Sequence, residues 1–199
     1  MDKYYRTHVT IDLSAIESNI LKIREKVSSE TKIMAIIKAD AYGHGAETVM
    51  QFIENIADAY GVAIIEEALD LRKWGTEKPI LVLGYTDPSA YPELIHDSIS
   101  QTIYTYESAV KLSNMAVQRK QSVGIHIKID TGMSRIGFQA DDQSVEEIIK
   151  ISRLQGLRME GIYTHLARAD ESSDEPIQAP LITFNRIVET LKKRGVSFP

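Results

Sequence analysis

The residue types best suited to chemistry gather in a few short stretches of this chain. Lys38 closes the apolar run Ile33–Ile37 and is followed at once by Asp40, Tyr42, Gly43, His44 and Gly45. An amine that leaves a buried strand beside apolar walls can attack a carbonyl and form a Schiff base, although a strand-end lysine can equally snorkel to water. A second stretch, His126-Ile-Lys128-Ile-Asp130-Thr-Gly-Met133-Ser-Arg135-Ile-Gly137, puts three ionisable side chains on one strand face by the period of two. Such groups are costly to bury unless they meet partners, so that face either borders a polar site or holds an internal salt bridge of Lys128 with Asp130 or another acid. Arg135 offers a planar fork that stays charged and grips carboxylates at two points. Leu83-Gly84-Tyr85 and Tyr163-Thr164-His165 end two further strands. Leu83 is read as core with a flank on a pocket and Tyr85 as surface, while His165, alone at a strand end, is read as a satisfied structural residue.

Three apparent motifs fail. Asp130-Thr-Gly spells the aspartic-protease triplet, but that chemistry needs a second carboxylate in an all-β frame and the chain has no second triplet. Gly43-His-Gly45 begins a dinucleotide-binding pattern, yet Thr48 occupies the third glycine position. No two histidines stand at i, i+3 or i, i+4, so no metal site is read from their spacing.

The elements that must position these residues follow an alternating pattern. Thr7–Leu13 alternates like a half-buried strand, and a helix follows from the capping box Ser14-Ala-Ile-Glu17 with Ile16, Ile20, Leu21 and Ile23 on one side. The run ending at Lys38 reads as a strand buried on both faces. Strands are then expected over 59–64, 79–83, 100–104, 122–130 and 159–166, with helices over 46–56, 66–74, 88–97, 106–120, 145–154 and 180–194. The stretch 170–176 reads as an acidic, solvated loop. Six strands, each followed by a helix, demand parallel pairing with right-handed crossovers, the rhythm of a (β/α)8 TIM-type barrel or of an open doubly wound sheet. Eight units and about 250 residues are usual for the barrel, so with 199 residues it reads as unfinished. The candidate residues all fall at the carboxyl ends of strands, where barrels build their sites.

Composition narrows the class. The formal charge is −5 with 43% hydrophobic residues, which fits a soluble globular chain and argues against nucleic acid, whose binders show clustered Lys and Arg. Without cysteine there is no disulfide frame or thiolate site. No stretch reaches the roughly 18 apolar residues of a membrane span, and the polar amino terminus lacks a signal core. A cytoplasmic protein is expected.

The string Ile36–Gly45 closely resembles the pyridoxal phosphate attachment site of bacterial alanine racemases, pyridoxal phosphate enzymes of fold type III, and His126–Gly137 resembles their second signature. The resemblance spans nearly the whole chain but only the amino-terminal barrel portion of the family pattern. It implies that Lys38 carries pyridoxal 5'-phosphate as an aldimine and acts as a base on the substrate. Tyr42 would help hold the phosphate, Leu83 would line the cofactor, Arg135 would bond the cofactor's phenolic oxygen and face the substrate carboxylate, and His165 would lie against the pyridine ring. Met133 would join Arg135 around the substrate, and Lys128 would be N-carboxylated and orient Arg135. The implied activity is interconversion of L- and D-alanine, the D-isomer feeding peptidoglycan, in a homodimer whose second catalytic acid is a tyrosine of a carboxyl-terminal β-domain. On this reading residues 1–13 form a strand that would pack on that domain, and 14–199 form an incomplete cofactor-binding barrel with little or no activity alone. A serine-type racemase and a non-catalytic pyridoxal phosphate-binding barrel remain alternatives.

Overall fold

A computed structural model describes residues 7–171, 173 and 175–198. The chain divides into two compact units, 1–79 and 80–199.

The first unit runs α1 (Leu13–Lys26), β1 (Met34–Ile36), α2 (Lys38–Gly43), α3 (Ala46–Ile53), β2 (Ala59–Val62) and α4 (Ile65–Lys73). β1 and β2 pair in parallel, Met34 opposite Ala59 and Ile36 opposite Gly61. Arg24, near the end of α1, ties the starts of both strands together. Its guanidinium donates to Asp58 Oδ2 at 2.5 Å and to the carbonyls of Thr31 and Ile56 at 2.7 and 3.1 Å, while the same Asp58 oxygen accepts the Ile33 amide at 2.7 Å. The Arg24 hydrogen bond and then the Ile33 amide hold the Asp58 carboxyl below the ordinary aspartate range. The buried phenol of Tyr60 donates to Glu54 Oε2 at 2.6 Å, and Thr76 donates to Oε1 at 3.0 Å. An apolar cleft of about 340 Å³ lies between α1 and β1, lined among others by Ile16, Ile20, Ile23, Ile33 and Ile36.

The second unit runs β3 (Ile80–Val82), a 3-10 turn (Pro88–Ala90), α5 (Tyr91–His96), β4 (Ser100–Ile103), α6 (Tyr106–Gln118), β5 (Val123–Asp130), β6 (Phe138–Gln139), α7 (Asp142–Ile151), β7 (Leu157–Tyr163) and α8 (Glu175–Lys193). β3 pairs with β4, β4 with β5, and β5 with both β6 and β7, all in parallel. One face of β5 presents Ile125, Ile127 and Ile129, all fully buried, to a core that includes Leu94, Leu112 and Ile148. Its other face carries His126, Lys128 and Asp130. The β5–β7 register shifts at Ile125/His126, leaving Glu160 as the extra residue of β7. Its carboxylate covers Gly124, where no Cβ would fit, and accepts the Ser100 hydroxyl at 2.6 Å. No helix among the described residues is long and apolar enough to cross a membrane.

Across the two units the expected six strand–helix repeats are present, with these differences. Thr7–Asp12 forms no strand; the alternation is there, but a strand also needs a partner backbone, and none pairs with it among the described residues. Residues 1–6 lie outside the described residues. The first helix opens at Leu13, with its cap two residues earlier than Ser14, because Asp12 accepts the Ala15 amide at 3.1 Å and acts as the cap. β1 is half-buried rather than buried on both faces, with Ile36 39% exposed. β6 was not anticipated. α8 begins at Glu175, well before Pro180, which lies inside it rather than at its start.

Gly137 is the residue that lets β6 return to β5. It sits at φ +138°, and a Cβ there would stand 2.5 Å from the Asp130 nitrogen. Gly137→Ala should therefore lower stability by about 2 kcal/mol or more, read as a lower urea midpoint in equilibrium unfolding.

Candidate functional site

Lys38 follows β1 by one residue beyond Ile37, which is buried, and opens the α2 turn. That turn is left-handed. Ala39, Asp40, Ala41 and Tyr42 have φ of 51°, 54°, 52° and 57°, a region that residues with a Cβ normally visit singly, at a cost of about 1–2 kcal/mol each. The surrounding bonds offset it. The Ala41 amide donates to Ile37 O at 3.0 Å, the Gly45 amide to Asp40 O at 3.0 Å and the His44 amide to Ala41 O at 3.2 Å. His44 Nδ1 donates to the same Ala41 carbonyl at 2.7 Å. The Asp40 carboxylate accepts the Ala46 amide at 2.6 Å, anchoring the turn to α3, and Glu67 Oε1 accepts the Ala39 amide at 2.7 Å. Local strain that the surroundings over-determine is characteristic of functional sites. The turn brings the half-buried Lys38 amine to 5.9 Å from the centre of the Tyr42 ring, itself 60% exposed.

In the second unit Lys128 is 3% exposed, and its amine donates to the Ile129 carbonyl at 2.7 Å and lies 5.6 Å from the centre of the Tyr163 ring. No salt bridge joins it to Asp130. Burial lowers the Lys128 pKa, and the Arg135 charge adds to this against the pull of Asp130. Asp130, 8% exposed, turns into the loop instead: Oδ1 accepts the amides of Gly132 and Ser134 at 2.9 and 3.1 Å. Burial works to raise its pKa, but those amides, with Lys128 and the Met133 amide, hold it below the ordinary value. The Tyr163 hydroxyl lies 3.0 Å from Thr102 Oγ1, and burial raises its pKa. His126 packs against Gly161, and its burial lowers the imidazole pKa despite the Glu160 charge nearby.

The remaining candidates lie on strand-end loops. Leu83 follows β3 and is half-buried, beside the exposed Tyr85; half-buried Met133 and exposed Arg135 follow β5; exposed His165 follows β7. The structure thus brings Lys38 together with Tyr42 in one unit, and Lys128 with Asp130, Tyr163 and the loop bearing Arg135 in the other. Two supports escaped the sequence reading. Glu67 bonds a residue far from it in sequence, which no local pattern reports, and Tyr163 stands out in the sequence only as part of a strand end.

Within the first unit, an amine at the head of the left-handed turn with a phenol beside it has the chemistry to take an aldehyde and to donate to an anion. Within the second, a guanidinium and an imidazole stand on the loops that follow the paired strands β5 and β7, a donor fork and a flat ring.

Residues 11–199 match the family model for the alanine racemase N-terminal domain. A relative named alanine racemase 1, from Clostridium acetobutylicum, is 43% identical over 187 residues, 94% of this chain and 48% of its own length. The solved alanine racemase of Clostridium difficile 630 superposes with a TM-score of 0.90 at 37% identity, covering 94% of this chain and 49% of that one. That of Bacillus anthracis, solved with bound L-Ala-P, gives a TM-score of 0.84 at 32% identity over 94% of this chain and 48% of that one. The shared parallel repeat is that of the TIM-type barrel, and the chain spans about half the length of these relatives.

The Asp130 geometry has a pH consequence. A carboxyl whose folded pKa lies below its unfolded value of about 3.9 contributes stability that is fully present above that value and lost as pH falls through the folded one. Urea unfolding between pH 6 and pH 2 should show a stability loss beginning near pH 4 that is shallower in Asp130→Asn, which has no charge to lose.

Proposed function

The chain belongs to the alanine racemase N-terminal domain family, and from that premise we infer that it forms the pyridoxal phosphate-binding portion of an alanine racemase. The observation that carries the inference is the left-handed Ala39–Tyr42 turn, which holds the backbone just after Lys38 at the carboxyl end of β1 and leaves the lysine's amine 5.9 Å from the centre of the Tyr42 ring. A lysine that merely reached for water would need no such frame. Residues 14–199 would be the cofactor-binding barrel part, and the stretch Thr7–Asp12 ahead of α1 would pack on a carboxyl-terminal β-domain in the longer family form.

Pyridoxal phosphate, when bound, withdraws electrons from the α-carbon of an amino acid and makes its proton removable. This chain's residues hold and serve that chemistry. Lys38 Nζ would be the attachment point, and its amine would serve as the base that accepts the α-proton from one face. The Tyr42 hydroxyl would help hold the phosphate. Leu83 would supply an apolar flank, and the His165 ring would pack on the cofactor ring. Arg135 would bond the cofactor's phenolic oxygen and face the substrate carboxylate, with Met133 along the substrate side. Lys128, its amine kept closer to neutrality by burial, is suited to react with carbon dioxide; the N-carboxylated side chain would be an anion able to orient Arg135. The substrate is alanine, whose D-isomer feeds peptidoglycan, and the longer form works as a cytoplasmic homodimer.

The test is to mix the purified chain with pyridoxal phosphate, reduce with borohydride and map the adduct by peptide mass spectrometry. A single adduct on Lys38, absent from Lys38→Ala, is expected. Labelling scattered over surface lysines, or unchanged in total by Lys38→Ala, would overturn the assignment.

A further inference from the structure

Glu67 carries a hydrogen bond that its own helix does not need. It is the third residue of α4, and its Oε2 accepts the amides of Ala63 at 2.7 Å and of Ile64 at 3.4 Å, which is the acidic half of a capping box. Ile64, at the cap position itself, contributes no side-chain bond. One oxygen is enough for that task. The other, Oε1, crosses to the amide of Ala39, twenty-eight residues earlier, at 2.7 Å. That amide belongs to the first left-handed residue of the turn and is bonded directly to the carbonyl carbon of Lys38.

We propose that Glu67 is a positioning residue for Lys38: by bridging the Ala39 amide to the amides that open α4, it sets the direction in which the lysine leaves β1. This rests on the reading of Lys38 as the cofactor's attachment point. The carboxylate suits the role because it accepts at both oxygens. A glutamine has one acceptor oxygen, so its amino group would face either Ala39 or Ala63 donor to donor. Aspartate is one methylene shorter and spans less. The opposite side of the turn is held separately by Asp40 on α3, so loss of the Glu67 bond should loosen the first residue of the turn without unfolding it.

The test compares the unmutated chain with Glu67→Ala, Glu67→Gln and the double variant Ile64→Asp/Glu67→Ala, in which the new Asp recaps α4 while Ala39 stays unbonded. Three readouts are taken on each: thermal melting, amide hydrogen exchange of the Ala39 segment, and the rate of borohydride-trapped pyridoxal phosphate labelling at Lys38 relative to the other lysines. In Glu67→Ala the Ala39 amide should exchange faster and relative labelling at Lys38 should fall, each by about tenfold, the size of one lost bond to a charged acceptor. Glu67→Gln should fall part of the way. The double variant should regain the melting temperature but not the labelling.

Regained labelling in the double variant would mean that Glu67 acts only through the cap of α4, and the proposal fails. Unchanged labelling at Lys38 in both single variants overturns this role while leaving the attachment reading intact. No Lys38 adduct in the unmutated chain overturns the attachment reading, and this role falls with it. If the alanine variants do not melt cooperatively, Glu67→Gln, which keeps size and one acceptor, decides the matter on the same two readouts.

Discussion

Four consecutive residues with side chains, Ala39–Tyr42, are kept in a backbone region that L-residues resist, and much of the first unit is arranged to keep them there. β1 ends so that Ile37 can accept the Ala41 amide, α3 begins where Asp40 can accept the Ala46 amide, and α4 begins where Glu67 can reach Ala39. The strain of such a turn is on the order of 6 kcal/mol by the per-residue cost, comparable to what six hydrogen bonds of about 1 kcal/mol each return. Near-balance of that kind gives one well-defined direction for the lysine without a large stabilising surplus. The turn is therefore best understood as a device for aiming an amine, its cost distributed over β1, α3 and α4.

The second unit handles a related problem, buried charge, by separating groups that could have neutralised one another. Lys128 and Asp130 share a strand face, yet the lysine donates to a neighbouring carbonyl and lies over an aromatic ring while the aspartate receives loop amides. A direct ion pair would have satisfied both and left neither for other work. Instead the carboxylate shapes the loop that bears Met133 and Arg135, and the amine stays desolvated. Glu160, the extra residue of the β7 bulge, takes its own partners, Ser100 and Arg158, at 2.6 and 2.9 Å, away from Lys128.

Much of this was legible from the residues. The strand–helix rhythm is carried by runs such as Ile80–Val82 and Ile125–Ile129, whose burial leaves little choice of element, and the placement of Lys38, Lys128, Arg135 and His165 at strand ends follows from it. What escaped has definite physical causes. In Ala-Asp-Ala-Tyr the aspartate alone has a modest local leaning to a left-handed path, and four such residues in a row are held there by the bonds within 37–46 together with the one from distant Glu67. Periodicity at Thr7–Leu13 reports which faces are apolar but cannot supply a partner strand. Two residues of β6 are too few to carry a pattern, and Pro180 looks like a beginning only because the turn before it is weakly patterned.

The cleft lined by Ile16, Ile20, Ile23, Ile33 and Ile36 gives the first unit a thermal character of its own. Water over apolar surface of this kind has a high heat capacity, and releasing it is driven mainly by entropy near room temperature. Whatever closes the cleft will bind with a fall in heat capacity and more strongly on warming from the cold. Calorimetry at several temperatures would see that closure even where no bond changes and no spectrum moves.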